Sequence, residues 1–218
     1  MLRKLFVVRH GETLWNSELR MQGRMDSALT DKGKRQAGEN GQLLRRVGVE
    51  RLLVSPLGRT QETAFIINSY VKTEIELFDE LVERDCGEWG GLTMSEIKTR
   101  QSAAWRERQA NEWEHRPPGG ENMPDVIKRI APLLTAVLEV ESETVAIISH
   151  GVVGKAILAH YLELNDEAAG HIRQPNELVY ALDFSGDNVV CEHYRRGEGP
   201  LGGAVRSPHI DNGGTSAQ

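Results

Sequence analysis

Two stretches of this chain set an imidazole directly behind a run of apolar residues. Phe6-Val7-Val8 leads into Arg9-His10-Gly11, and Val145-Ala146-Ile147-Ile148 leads into Ser149-His150-Gly151. Near neutral pH an imidazole can be a nucleophile, a base or a metal ligand. Arg9 adds a planar fork of donors suited to phosphate oxygens. A third apolar run, Arg51-Leu52-Leu53-Val54, leads into Ser55-Pro56-Leu57-Gly58-Arg59-Thr60. That places a second arginine at a predicted helix start, where backbone donors and the helix dipole also favour anions. Two arginines and two histidines without clustered carboxylates suit a phosphoryl group better than a metal. No His-Glu-x-x-His or Cys-x-x-Cys spacing occurs, so neither a metal site nor a bound cofactor is expected.

Such groups must be delivered by elements that end where the chemistry begins. Leu5 to Val8 reads as a strand buried on both faces, and in open α/β sheets ligands bind at the carboxyl ends of such strands. Gly11 allows a sharp turn and a close backbone approach to a ligand. The stretch 15–28 reads as a loop over that strand end. Thr30 is a good N-cap, and Ala37, Leu43, Leu44 and Val47 predict one apolar face of a helix ending near Gly48. A second helix over 60–70 would turn Ala64, Ile67 and Tyr70 inward, and a short strand follows over 74–78. The glycine-interrupted segment 81–92 reads as a loop, and 93–119 as a helical insertion capping the site. A long helix over 123–140 carries Pro124 in its first turn and Pro132 inside, which predicts a kink or two helices. Helix 152–162 follows the second histidine. Strands over 178–184 and 189–194 join at Gly186-Asp187-Asn188. The stretch 197–218 is rich in glycine with little to bury and reads as a poorly ordered tail. The alternation implies one domain over 1–196, a three-layer α/β/α fold with a mostly parallel central sheet and helices on both faces.

The motifs together resemble the histidine phosphatase superfamily, which includes the cofactor-dependent phosphoglycerate mutases, over nearly the whole chain. Its Arg-His-Gly pattern with a following asparagine is met by Arg9, His10, Gly11 and Asn16. Its Leu-Thr-x-x-Gly-x-x-Gln-Ala pattern is met by Leu29, Thr30, Gly33, Gln36 and Ala37. Its Ser-Pro-x-x-Arg-Thr-x-x-Thr-Ala pattern is met by Ser55, Pro56, Arg59, Thr60, Thr63 and Ala64. Leu81-Val82-Glu83, with Gly87-Glu88-Trp89 behind it, is similar to the segment that bears the acid/base glutamate, and Gly119-Gly120-Glu121 and Ser149-His150-Gly151 complete the set.

The resemblance implies that His10 is phosphorylated in turnover, that Arg9, Arg59 and His150 hold the phosphoryl oxygens, and that Glu83 is the general acid and base. Asp85 and Glu88 stay open as rivals of Glu83. Asn16 and Gly23 are the implied substrate contacts, with Glu121; Asn16 also reads as a loop cap, and Glu121 as a helix N-terminal residue. Gly33, Gln36 and Ala37 read as helix packing, as do the four tryptophans, although these could also line a cleft. His115, His160, His171, His193 and His209 read as surface or structural residues, and Cys86 as inert. One departure touches specificity. Many phosphatases that this chain resembles carry Trp-Glu-Gly where it has Trp89-Gly90-Gly91, and it also lacks the longer segment of the mutases. The implied function is a metal-independent phosphatase acting on a small phosphomonoester; the alternatives are a phosphoglycerate mutase and a non-catalytic protein that docks a phosphorylated ligand.

Composition bounds the rest. The 218 residues carry a net charge of -6, which argues against a nucleic-acid partner, with 27% charged and 39% hydrophobic residues, ordinary for a globular chain. No apolar run reaches the length of a membrane span. Two cysteines, Cys86 and Cys191, provide no disulfide framework and fit a reducing cytoplasm. The expected partner is a small phosphorylated metabolite, and a homodimer stays open.

Overall fold

The structure, a computed structural model, describes residues 1–206. Its centre is a seven-stranded sheet of order β3-β2-β4-β1-β5-β6-β7. The strands are β1 (Lys4–Arg9), β2 (Arg51–Val54), β3 (Glu74–Leu77), β4 (Thr144–Ser149), β5 (Leu178–Asp183), β6 (Val190–Arg195) and β7 (Glu198–Gly202). The first four run parallel to one another. The last three are added beside β1, each antiparallel to its neighbour, as the short β5–β6 and β6–β7 connections require of the last two.

Alternation within β1 explains the layering. Leu5 and Val7 belong to one buried cluster with Ile130, Leu134 and Ile157, whereas Phe6 and Val8 belong to another with Leu43, Leu44, Ala64 and Ile67. A period of two thus sends neighbouring residues to opposite faces, each covered by helices. On one face lie α2 (Asp31–Arg46) and α3 (Gly58–Val71); on the other lie α6 (Met123–Leu138) and α7 (Gly151–Tyr161). The smaller helices are α1 (Leu14–Ser17), α4 (Met94–Arg100), α5 (Ser102–Ala110) and α8 (Asp166–Gly170).

Local chemistry accounts for most boundaries. Thr30 caps α2 by accepting from Gly33 N–H at 3.0 Å, and Arg45 and Arg46 lie in its last turn, where they favour the helix dipole. Asn122 caps α6 with a reciprocal bond from Asp125. Pro132 neither ends nor divides that helix, which runs unbroken from Met123 to Leu138. Its missing N–H removes one backbone bond, and the buried Ile130, Leu133, Leu134 and Val137 hold the segment against the sheet. The loop expected over 15–28 opens with one helical turn, α1, capped by Thr13. Gly11 approaches protein backbone: a Cβ there would lie 2.3 Å from Gly33 O, at the start of α2.

Helices α4 and α5 do not themselves line the cleft described below. Ile97 and Trp105 pack with Trp89 and Cys86, so they brace the loop that forms one cleft wall. The tail expectation fails for 198–202. Those residues are β7, paired with β6, and Val205 follows, accepting from Arg173 N–H at 2.8 Å. Strand β7 is exposed along its length and is held by backbone pairing, which composition does not signal. The remainder of the expected tail, with His209, lies outside the described residues.

Candidate active site

Three adjacent strand ends assemble the centre. Strand β4 lies between β2 and β1, with Val54 opposite Ile148 and Arg9 opposite Ser149. This register carries Ser55, His150 and His10 off the sheet side by side. The His10 and His150 rings stand 5.3 Å apart at 61°. The His10 backbone is fixed from both sides: its N–H donates to Ser149 O at 2.9 Å, and its carbonyl accepts from Asn176 Nδ2 at 2.7 Å.

His10 Nδ1 lies 2.7 Å from Gly11 O. A carbonyl only accepts, so Nδ1 carries the proton and Nε2 keeps its lone pair. Burial, then Arg9 and Arg59, pushes the His10 pKa well below the ordinary histidine value. His150 is likewise held well below it by burial, then by Arg59, His10 and Arg9. Its Nε2 lies 2.8 Å from Ser55 Oγ, and its buried Nδ1 has no protein partner among the described residues.

The two arginines are held in place by main-chain oxygens. Arg59, only 2% exposed, donates to Met25 O at 2.7 Å, Gly23 O at 2.8 Å and Asp26 Oδ1 at 3.0 Å. Arg9 donates to Gln174 O at 3.0 Å. Burial lowers the Arg9 pKa, Glu83 draws it back up, and Arg59 lowers it further. The Nε atoms of both arginines are buried and donate to no acceptor among the described residues, leaving cationic donors beside the strand ends with spare hydrogen-bonding capacity.

Glu83 joins this group from the loop after β3. Its Oε1 accepts from Arg84 N–H at 2.8 Å, and its Oε2 accepts from Val152 N–H at 3.2 Å, at the first turn of α7. Its rivals turn elsewhere: Asp85 accepts from Gly87 N–H at 2.8 Å and pairs with Arg24 at 3.7 Å, and Glu88 accepts from Gln101 Nε2 at 3.3 Å.

Arg9, His10, Asn16, Gly23, Arg59 and Glu83 line one cleft, with His150 packed behind His10. Asn16 also serves as a cap, its Oδ1 accepting from Thr13 N–H at 3.2 Å. Gly23, at φ +52, offers its carbonyl to Arg59, and a Cβ there would press on Cys86 N at 2.9 Å. Glu121 does not line the cleft. Both its oxygens meet Arg129 at 3.1 Å, and it also accepts from Arg24 at 3.2 Å and from Asp85 N–H at 2.9 Å. Burial would raise its pKa, but Arg129, the Asp85 amide and Arg24 together hold it below the usual carboxylate value. It ties the 85–87 loop to α6 and is a clamp, not a wall residue.

Arg20, Met21, Gln22, Arg84, Cys86 and Val152 also line the cleft, and sequence reasoning did not assign them to it. Arg84 directly follows Glu83, and Val152 follows the His150-Gly151 pair by one residue, so adjacency was the available signal. Burial raises the Cys86 thiol to about 11, which leaves it inert. None of the four tryptophans lines this cleft; Trp89 is fully buried and stacks on His115 at 5.1 Å. Among the described residues no three His, Cys, Asp or Glu side chains converge as a metal site would need, and no helix is long and apolar enough to cross a membrane.

Comparison with known proteins bears on this arrangement. A family model for the histidine phosphatase superfamily (branch 1) matches residues 5–196. A protein of Salmonella paratyphi B described as a probable phosphoglycerate mutase, GpmB, is 33% identical over 183 residues, spanning 83% of this chain and 85% of that one. Among solved structures, Bacillus stearothermophilus YhfR superposes with a TM-score of 0.77 at 32% identity, covering 85% of this chain and 93% of its own. A mycobacterial glucosyl-3-phosphoglycerate phosphatase complexed with VO3 superposes with a TM-score of 0.78 at 25% identity, covering 88% and 97%.

Proposed function

This chain belongs to the histidine phosphatase superfamily, and from that premise we propose that it hydrolyses a small phosphomonoester through a phosphohistidine on His10, without a metal ion. The observation that carries the reading is the state of His10: buried, neutral, its Nδ1 proton tied to Gly11 O, and its ring in the field of the buried Arg59 and the partly buried Arg9.

In the first half-reaction Nε2 forms a bond to phosphorus as the ester P–O bond breaks. Glu83, in its protonated form, gives its proton to the departing alkoxide. Arg9, Arg59 and His150 meet the phosphoryl oxygens, with Asn16 assisting, and such preorganised donors usually supply much of the rate enhancement. A Ser55 hydroxyl that donates across the 2.8 Å to His150 Nε2 would keep the proton of that ring on Nδ1, the nitrogen without a partner among the described residues. In the second half-reaction Glu83 takes a proton from water, the oxygen attacks phosphorus, and the P–Nε2 bond breaks to return neutral His10 and phosphate. The Gly11 carbonyl stabilises the positive charge that the ring carries while phosphorylated.

Hydrolysis is preferred over isomerisation because the mutase segment is missing after Glu83, where the chain reads Trp89-Gly90-Gly91. The relatives lie on both sides of this choice, one described as a probable phosphoglycerate mutase and one as a phosphatase. Rapid quenching with substrate is expected to trap an acid-labile, base-stable phosphoryl group on the peptide containing His10; normal turnover by His10→Ala would overturn the assignment. Incubation with 3-phosphoglycerate and a trace of the bisphosphorylated primer is expected to release phosphate faster than it forms 2-phosphoglycerate, and the reverse order would make this a mutase. Turnover is expected to survive excess chelator; loss restored by added magnesium or zinc would refute metal independence.

A further inference from the structure

A second chamber adjoins the catalytic cleft and shares Arg84 and Val152 with it; Glu112, Trp113, Met123 and Lys155 form the rest of its principal wall. Arg84 is 7% exposed, its Nε is shielded from solvent, and its guanidinium makes no hydrogen bond or ion pair among the described residues. Other arginines drawn away from solvent are engaged: the buried Arg59 meets Asp26, and the partly buried Arg129 meets Glu121. A buried guanidinium N–H left without an acceptor is costly to the fold. A purely structural arginine would be paired.

Lys155 stands on α7 three residues after Val152, so the two share a helix face and both border the chamber. No ion pair or hydrogen bond engages its ammonium among the described residues. Burial lowers its pKa, Glu112 opposes this, and Arg173, Arg108 and Arg84 lower it further. Glu112, the acid in the wall, is committed to a hydrogen bond with Arg108. Trp113, Met123 and Val152 supply apolar surface to the same chamber.

We propose that this chamber receives a second acidic group, a carboxylate or a phosphate, carried on the alcohol part of the substrate and joined to the scissile phosphate by an apolar spacer that passes Val152. The substrate class is then a phosphomonoester whose leaving alcohol ends in an anion. Arg84 meets that anion from the cleft side and Lys155 from α7. The inference rests on the hydrolase reading above, and its test separates the two.

The probes are 6-phosphooxyhexanoate against its methyl ester and hexane-1,6-diol bisphosphate against the monophosphate, with the four-carbon homologues to set the spacer length. The intact protein is expected to favour the charged member of a pair by about tenfold or more in kcat/KM, the low end for a charge pair in a bound complex. The better of the two anions identifies carboxylate or phosphate as the natural terminus. In Lys155→Met the preference is expected to fall towards unity, mainly through KM, and in Lys155→Arg to persist. Equal kcat/KM for charged and neutral members in the intact protein, or a preference that survives Lys155→Met, would overturn the subsite. Release of phosphate from none of the probes would instead refute the hydrolase reading. Calorimetric binding of the same pairs would then decide the subsite by the same ratio. Should Lys155→Met fold poorly, the comparison of charged and neutral probes on the intact protein decides alone.

Discussion

An imidazole attacks phosphorus only while one nitrogen keeps its lone pair, and the surroundings of His10 enforce that. The same burial has a consequence for stability. Unfolded, His10 and His150 titrate near 6.5; folded, burial and then the neighbouring cations hold both well below it. Below 6.5 the unfolded chain therefore binds protons that the folded chain refuses, so stability rises with pH. The contribution is complete above 6.5 and is lost as pH falls from there towards the folded values. Urea midpoints should drop between about pH 6.5 and 5, before ordinary carboxylates titrate fully, and His10→Gln or His150→Gln should flatten that slope. An unchanged slope in both variants would contradict the burial argument. Glu83 is tested through the leaving group. An alkyl alcohol leaves badly without a proton, whereas nitrophenolate leaves unaided. Glu83→Gln should slow phosphorylation of His10 by an alkyl phosphate by ~100-fold or more, and by nitrophenyl phosphate much less, in rapid-mixing kinetics. Equal slowing with both substrates, or the same leaving-group dependence in Asp85→Asn or Glu88→Gln, would move the role elsewhere.

At the scale of elements, the parallel register of β1, β4 and β2 sets which side chains meet, and helix contacts lock the turn behind them. Gly33, in the first turn of α2, touches the backbone of the catalytic turn: a Cβ there would lie 2.1 Å from Glu12 O. Gly11 N–H meanwhile donates to Thr63 Oγ1 on α3 at 3.1 Å. The packing role read for Gly33 is thus packing against the residue next to Gly11, with no flexible side chain to absorb a clash. Gly33→Ala should cost about 2–3 kcal/mol by overpacking and lower kcat by displacing His10. The exposed neighbour Lys34→Ala should change little in either respect. Thermal melts and steady-state kinetics on both variants check this.

Across the whole molecule the C-terminal segment turns out to support the site. Strand β7 closes one edge of the sheet. Val205 then binds the 172–174 segment, its carbonyl accepting from Arg173 N–H, and donates its own N–H to the Tyr180 hydroxyl oxygen at 3.1 Å. Gln174, in that segment, holds Arg9 through its carbonyl. A chain ending at Arg196 should therefore melt lower than one ending at Arg206 and turn over several-fold more slowly. Equal melting temperature and equal turnover for the two truncations would show that β7 and Val205 carry no load.

Sequence by itself determined what short range can encode. Apolar runs that stop at Arg9-His10, Ser55 and Ser149-His150 specify buried strands with reactive ends, because burial and strand period are written residue by residue. The cap Thr30 is equally local. Tertiary structure alone decided which strand ends are neighbours, and hence that Ser55 meets His150, whereas the Gly11 O that orients His10 belongs to the next residue. It sent Glu121 to Arg129 and Arg24 and left Glu83 at the start of α7. It also brought Arg84 beside Lys155 across a long interval of chain. A carboxylate or guanidinium is committed by whichever opposite charge or amide the fold brings within a few ångströms; Glu121 finds Arg24 and Glu83 finds the Val152 amide from distant parts of the chain, and the Arg84 guanidinium finds no partner among the described residues.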